Sequence, residues 1–378
     1  RPLVVAHRGA SHDLAEHSIP AQVRAIAEGA DAIECAHVLG WDVVVKKGEF
    51  QPGDRVVYVE IDSLLPERPE FEFFRKSCFK PAILDRDGKE ALRAGFRVRT
   101  VKLRGQVSQG ICFPLSILPD VLHEDADTLA LTDMQAEGTD VTEALGIVKW
   151  EMPEDLGGYS LPGPGVQRST FPVDIPKTDE TRVQVLGGLI AACKGQRFVA
   201  TEKLDGTSFT AFVKGGVFGV CSRNQTLDPT DASHLHIEME RALDLENHMR
   251  RMSERLGDFA IQGEMVGPLI QGNKYGLFER QLYVFDVYLI DAKTYVTPER
   301  SQEIAADMGL ASVPWLGVFD MAHTIADLVF MAEGPSFLNG NIPREGIVLR
   351  PTTLRHDEHG NRVSFKAINP KFLLKYDA

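Results

Sequence analysis

Between Glu151 and Pro176 the chain becomes dense in proline and glycine, most of all at Leu161-Pro162-Gly163-Pro164-Gly165. Proline lacks the backbone donor that a helix interior or central strand needs, and glycine has the most conformational freedom to lose on folding. No regular element runs through such a stretch, so it reads as a linker that divides the 378-residue chain into two modules. A prior of ~150 residues per domain agrees. The expected organisation is an N-terminal module over residues 1–150, a linker over 151–165 and a second module over 166–378.

The two modules differ in pattern. Trp41-Asp42-Val43-Val44-Val45 reads as a strand, Lys46 to Asp54 as a turn-rich connection, and Arg55 to Asp62 as a second β-prone run. Phe96 to Arg104 alternates apolar and basic residues with period two, which predicts one strand with a buried face and a cationic face of Arg97, Arg99, Lys102 and Arg104. That face is either a solvated edge or a contact to a nucleic-acid backbone. Short strands, Gly turns and no long helix predict a small β-barrel of the OB type. In the second module a helical stretch is expected over Thr230–Leu256, with strands over Gln281–Ile290 and Gly346–Arg350, an α+β mixture.

Net charge limits the partners less than it first suggests. The chain carries −13 in all, which argues against polyanion binding. Eleven acidic residues and one lysine between Asp120 and Gly158 account for −10 of it, leaving −3 for the rest, so an acidic connector hides basic faces elsewhere. No stretch reaches the ~18 apolar residues of a membrane span, and the N-terminus lacks signal-peptide character. The five cysteines, an odd number without a Cys-x-x-Cys pair, predict neither a disulfide framework nor a zinc ribbon. A soluble, cytoplasmic protein with no membrane contact and no obligate protein partner is expected.

The second module carries an ordered series of polar motifs. These are Thr201-Glu202-Lys203-Leu204-Asp205-Gly206-Thr207-Ser208, Ser222-Arg223-Asn224, Gln262-Gly263-Glu264-Met265-Val266-Gly267, Val284-Phe285-Asp286-Val287, Arg344-Glu345-Gly346-Ile347-Val348 and Ser364-Phe365-Lys366-Ala367-Ile368-Asn369. A lone Lys-x-Asp-Gly marks no more than a turn at a strand end. The series as a whole resembles the covalent nucleotidyltransferase superfamily of polynucleotide ligases and RNA capping enzymes. It is most similar to ATP-dependent RNA ligases of the Deinococcus/Naegleria type, which carry an N-terminal OB module. The resemblance spans roughly residues 28–378. It implies an α+β nucleotidyltransferase (adenylyltransferase) domain preceded by a small OB-like β-barrel module.

The resemblance also implies roles. Lys203 is the nucleophile that attacks the α-phosphorus of ATP to give lysyl-AMP, a covalent route that splits one hard step into easier ones. Asp205 and Glu345 serve a Mg²⁺ or Mn²⁺ ion, partly through water. Glu202 meets the adenine edge, Arg223 the nucleotide, Glu264 the ribose hydroxyls, and Phe285 stacks on the base. Lys366 binds the α-phosphate. Lys177-Thr178-Asp179-Glu180-Thr181-Arg182 resembles the entry to the catalytic domain, with Arg182 on the pyrophosphate leaving group. Related phage-type ligases show Lys-x-Lys in the last motif. Here Lys366-Ala367-Ile368 lacks the second lysine, and Lys371 or Lys375 stands nearby.

Twelve residues follow Lys366, too few for the OB domain that DNA ligases and capping enzymes place after this motif. The expected partner is therefore RNA, or an RNA-containing duplex with 3′-OH and 5′-phosphate ends, with nicks bearing an RNA 3′-OH as the task. The N-terminal module is expected to take over duplex contact. The first 35 residues are atypical. Val4-Val5-Ala6-His7-Arg8-Gly9 resembles the opening strand of glycerophosphodiester phosphodiesterases, with Glu16-His17-Ser18 and Glu34-Cys35-Ala36 as matching stretches, yet Ala36 stands where a metal carboxylate belongs. Two rival readings follow: a phosphodiesterase-like hydrolase, and a catalytically silent nucleic-acid-binding protein.

Overall fold

A computed structural model describes residues 4–6, 33–84, 88–118, 138–151 and 169–376. His7, the Glu16-His17-Ser18 stretch, most of the acidic run and most of the linker lie outside the described residues.

The N-terminal module is a set of short, strongly paired strands. Ile33–Val38 and Trp41–Lys46 form a hairpin closed at Leu39-Gly40, where Leu39 takes a φ of 54°. Val56–Val59 pairs with Ile111–Pro114 on one side and with Val4–Ala6 on the other. Ser63–Leu65 and Gly95–Arg97 form the centre of a four-stranded sheet with Val148–Lys149 and Phe79–Lys80 at its edges. Alternating inward residues supply one core, in which Trp41, Tyr58, Phe71, Phe74 and Phe96 are almost fully buried. Each such side chain contributes about 1.5–3 kcal/mol through burial.

The predicted strand Phe96–Arg104 is two strands in different sheets. Gly95–Arg97 ends, Val98 still bonds Asp62 and Ser63 through its backbone, and after Arg99 the strand Thr100–Leu103 pairs with Gln106–Gln109. Arg104 and Gly105, with φ of 48° and 91°, close that hairpin in the left-handed conformation that two-residue turns require. Arg97 and Arg99 also fall on the opposite phase of a two-residue period from Lys102 and Arg104, so the four cations do not make one strand face. Arg97 turns to Asp62, 3.1 Å away, and lies 5.4 Å from the Trp150 ring.

The second module is built on two sheets. One runs Ser169–Thr170, Gln225–Thr226, Val217–Cys221, Thr207–Lys214, Phe259–Val266, Gln281–Leu289, Thr294–Tyr295, with Ala311–Ser312 added to the sixth strand. The other runs Thr181–Arg182, Phe365–Ile368, Gly346–Pro351, Arg197–Lys203, Trp315–Asp320. The helical stretch expected over Thr230–Leu256 breaks into Leu235–Ala242 and Leu245–Leu256. The break falls at Asp244, whose φ is 49°, a conformation that Asp tolerates better than most residues. The second helix buries Leu245, Met249 and Met252, one stripe at helical spacing.

The chain crosses from one sheet to the other between Lys203 and Thr207. Gly206 makes that crossing possible: a Cβ there would stand 2.3 Å from the Met265 carbonyl oxygen. The modules meet through Gly40 N–H, which donates to Gln184 O at 2.9 Å, and through Arg182 on Asp62 at 3.0 Å. Leu373, in the helix Pro370–Tyr376, packs on the N-terminal core.

Candidate active site

Lys203 ends the strand Arg197–Lys203, whose interior residues are buried on both faces. The ring contact of Phe198 with Phe365, 5.6 Å between centroids, ties that strand to Phe365–Ile368, two strands away in the same sheet. Lys203 pairs in register with Gly346, which places Glu345 beside it. The Lys203 amine lies 2.8 Å from both Glu345 carboxylate oxygens. Glu264, on Phe259–Val266, accepts a 3.0 Å hydrogen bond from Gly206 N–H. Asp205 donates its backbone N–H to the Tyr275 hydroxyl at 2.7 Å, and its carboxylate is ion-paired with Lys274. Two strands and one turn thus gather Lys203, Asp205, Glu264 and Glu345 from far apart in the sequence.

Their charges are strongly coupled. Burial pushes Glu264 up to about 8, with Lys203 pulling it down and Glu345 and Asp205 raising it further. Burial also raises Glu345, against the pull of Lys203. Burial acts to lower the Lys203 amine, but Glu345 and then Glu264 outweigh it and hold the amine above its ordinary value. Lys366 is pulled down to about 8 by burial, then by Lys203 and Arg182. The carboxylates that act on Lys203 offer only oxygen donors, the kind that hard divalent cations such as Mg²⁺ and Mn²⁺ prefer.

The other expected residues ring this centre. Glu202 is buried, with Oε2 accepting from Phe337 N–H at 2.9 Å and Oε1 without a protein partner. Phe285 packs with Leu204, Val266, Tyr275 and Val313, and the Arg350 guanidinium lies 5.8 Å from its ring. Arg182 sits beside Lys366 in a parallel register pair. It bonds Asp62, reaches to 3.7 Å from Glu60, lies 5.6 Å from the Trp41 ring, and keeps a buried Nη1 without a protein partner. Arg223 is engaged by Asp179 at 2.8 Å and Glu151 at 3.1 Å. Glu264 of the carboxylate cluster also acts on its charge.

Sequence reasoning missed several members. Lys274 and Tyr275 lie in the loop after Phe259–Val266 and meet Asp205 from 69 and 70 residues away, with no local pattern to announce it. Asp62 holds Arg182 from the other module. Lys149 is close enough to Asp179 to act on its carboxyl together with Arg223 and Lys366. Of the two lysines near the last motif, Lys371 is paired with Glu333 and Lys375 lies over the Tyr376 ring.

An RNA ligase family model matches residues 196–368, and an OB-fold domain model matches residues 19–115. No curated protein is significantly similar to the chain. Among solved structures, the chain is similar to an aspartate-to-alanine mutant of Naegleria gruberi RNA ligase in its apo form, at 35% identity and TM-score 0.76 over 96% of each chain. A lysine-to-alanine mutant of the same ligase with ATP and Mn matches at 36% identity and TM-score 0.76, over 96% of this chain and 98% of that one. A glutamate-to-alanine mutant with AMP and Mn matches at 35% and 0.77, over 96% and 97%.

Proposed function

The chain belongs to the ATP-dependent RNA ligases, and from that premise we propose that it joins a 3′-OH to a 5′-phosphate end at nicks whose 3′ strand is RNA, using Lys203 as nucleophile. The observation that carries the site assignment is the Lys203 amine held 2.8 Å from both oxygens of Glu345, with Asp205 and Glu264 alongside, at the crossing between the two sheets.

Three balanced steps follow. The neutral Lys203 amine attacks the α-phosphorus of ATP; the P–N bond forms, the bond to the bridging oxygen of the β-phosphate breaks, and pyrophosphate leaves. A 5′-phosphate oxygen then attacks the same phosphorus, and Lys203 leaves with its electron pair and a proton. The 3′-OH attacks the 5′-phosphate phosphorus and gives up its proton to solvent; the new P–O bond forms, the P–O–P bond to AMP breaks, and AMP departs. These are phosphoryl transfers, in which positioning and charge stabilisation supply most of the rate.

The chain's residues divide that work. Asp205 and Glu345 would hold Mg²⁺ or Mn²⁺, and Glu264, whose Oε1 accepts from Gly206 N–H, would meet the ribose hydroxyls with its other oxygen. Bound there, such an ion would supply charge neutralisation on the phosphates. Lys366 faces the α-phosphate. The unpartnered Arg182 Nη1 is a donor for the leaving pyrophosphate. The unpartnered Glu202 Oε1 accepts from the adenine amino group, a preference that guanine, with a carbonyl there, cannot satisfy. Arg223 reaches the nucleotide after leaving Asp179, and Phe285 supplies a ring for the base. The division into modules over 1–150 and 166–378, joined at 151–165, belongs to the same reading, with the N-terminal module contacting the duplex.

The test is label transfer. The protein is incubated with α-labelled ATP and Mg²⁺ or Mn²⁺, denatured, and examined for label on the chain. Acid-labile label with ATP, none with GTP, and none on Lys203→Ala supports the assignment. Label persisting on Lys203→Ala overturns it. Sealing of nicked duplexes with RNA or DNA 3′ ends then tests the end chemistry.

A further inference from the structure

We infer that the outer face of the hairpin Ile33–Val38/Trp41–Lys46 is a binding site for a borderline divalent transition metal, Zn²⁺ foremost, formed by Cys35, His37 and Asp42. The three side chains arrive on one face by register. Cys35 and His37 are two residues apart on one strand, and Asp42 stands directly across from His37. One donor atom from each lies within 4.8 Å of the other two, and His37 Nδ1 is 2.5 Å from Asp42 Oδ1. The opposite face of the hairpin, with Ala36, Val38, Trp41, Val43 and Val45, is locked in the core at no more than 1% exposure. The donors are therefore carried on a rigid element.

The donor set selects the metal. A thiolate, an imidazole and a carboxylate suit Zn²⁺ or Co²⁺, with bonds of about 2.0–2.3 Å, whereas Mg²⁺ and Mn²⁺ prefer oxygen donors. This is the opposite preference from the all-oxygen cluster around Lys203. His37 and Asp42 are 65% and 47% exposed, so a fourth coordination position stays open to water. Binding converts the Cys35 thiol to the thiolate and releases its proton to solvent. With the thiolate and the Asp42 carboxylate, a divalent ion makes a neutral site.

The full-length protein, reduced with a phosphine and stripped of metal, is titrated with CoCl₂. The expected result is a near-ultraviolet thiolate-to-Co²⁺ charge-transfer band that saturates at one equivalent. ZnCl₂ should displace it and excess MgCl₂ should not. Cys35→Ser should abolish the band, and His37→Ala should weaken binding by at least about tenfold. Both variants should keep ATP-dependent labelling of Lys203, since neither residue belongs to that site. The half-buried thiol of Cys78 is the internal control. No band, a band that survives Cys35→Ser, or displacement by Mg²⁺ overturns the proposal.

Discussion

Lys203 and Glu345 face each other with the amine 2.8 Å from both carboxylate oxygens, so the group that must be neutral to attack is held as a cation in the free protein. The pair is a resting state that binding must break. Glu345→Gln removes the charge that holds the amine protonated and one donor of the cation site. Two opposite effects are expected. Covalent labelling from ATP should fall by about 10²–10³-fold, the usual cost of losing one charge-stabilising group. In the absence of ATP, acylation of Lys203 by an amine-directed reagent near neutral pH should become faster than in the wild type, read by peptide mass spectrometry. Slower acylation would contradict the resting-state reading.

Lys366 sits at about 8 instead of its ordinary 10.5 because it is buried and faces Lys203 and Arg182. Its folded value is depressed, so its stability contribution is fully present above 10.5 and is lost as pH falls through about 8. Below that, the folded protein carries a cation it would be more stable without. Lys366→Met should therefore raise the unfolding temperature at pH 7, by an amount worth on the order of 1–3 kcal/mol, and the gain should shrink between pH 8 and 10. Calorimetry across that range checks the sign. The same variant should lose labelling by ATP. At subsaturating ATP the wild-type rate should decline as pH rises through about 8, and Lys366→Arg, which stays protonated, should flatten that limb.

How much of this was legible depends on distance along the chain. Lys203, Asp205 and Gly206 lie within four residues, and the tight turn they need is written in the residues themselves. Glu345, 142 residues from Lys203, could be found only through the order of the motifs. Register then explains why it faces the lysine. Lys274 and Asp62 carried no signal, because their partners lie 69 and 120 residues away and neither belongs to a periodic pattern. In the fold, Phe96 to Arg104 was correctly β, but its alternation slips phase at Thr100-Val101, between Phe96/Val98 and Val101/Leu103, and that slip marks where one strand gives way to the next. The helix break at Asp244 is similar: the apolar stripe reads through it, and only the backbone turn reveals it.

Asp62 binds Arg97 at 3.1 Å and Arg182 at 3.0 Å, and so joins the two modules through a single carboxylate. Asp62→Ala leaves two arginines, both 14% exposed, without that partner. A fully buried pair costs about 3–5 kcal/mol to break; Asp62 is 32% exposed, so solvent reduces the expected loss to about 1–3 kcal/mol. Freed from Asp62, Arg182 should be less well placed for pyrophosphate, so the ATP concentration for half-maximal labelling should rise several-fold while the labelled fraction at saturation changes little. Thermal unfolding and an ATP titration measure the two. An unchanged ATP dependence would show that Asp62 acts only in stability.

Gly206 is, with Gly346, one of the two tightest backbone positions at the site. An added Cβ would stand 2.3 Å from Met265 O and 2.8 Å from Val266 Cγ1, on the strand that carries Glu264. The carbonyl belongs to a paired strand and has nowhere to move, so Gly206→Ala must shift the Lys203–Thr207 crossing itself. Overpacking of this kind costs about 1–3 kcal/mol. A displacement of about 1 Å at a reacting group lowers rate by roughly 10²-fold. The expected outcome is an unfolding temperature a few degrees lower and labelling reduced far more than that loss of folded protein explains. Gly340→Ala is the control, since nothing lies within 4 Å of its added Cβ. It should leave both quantities unchanged. Labelling of Gly206→Ala at the wild-type rate would mean that the crossing tolerates the shift and that Lys203 is not positioned by it.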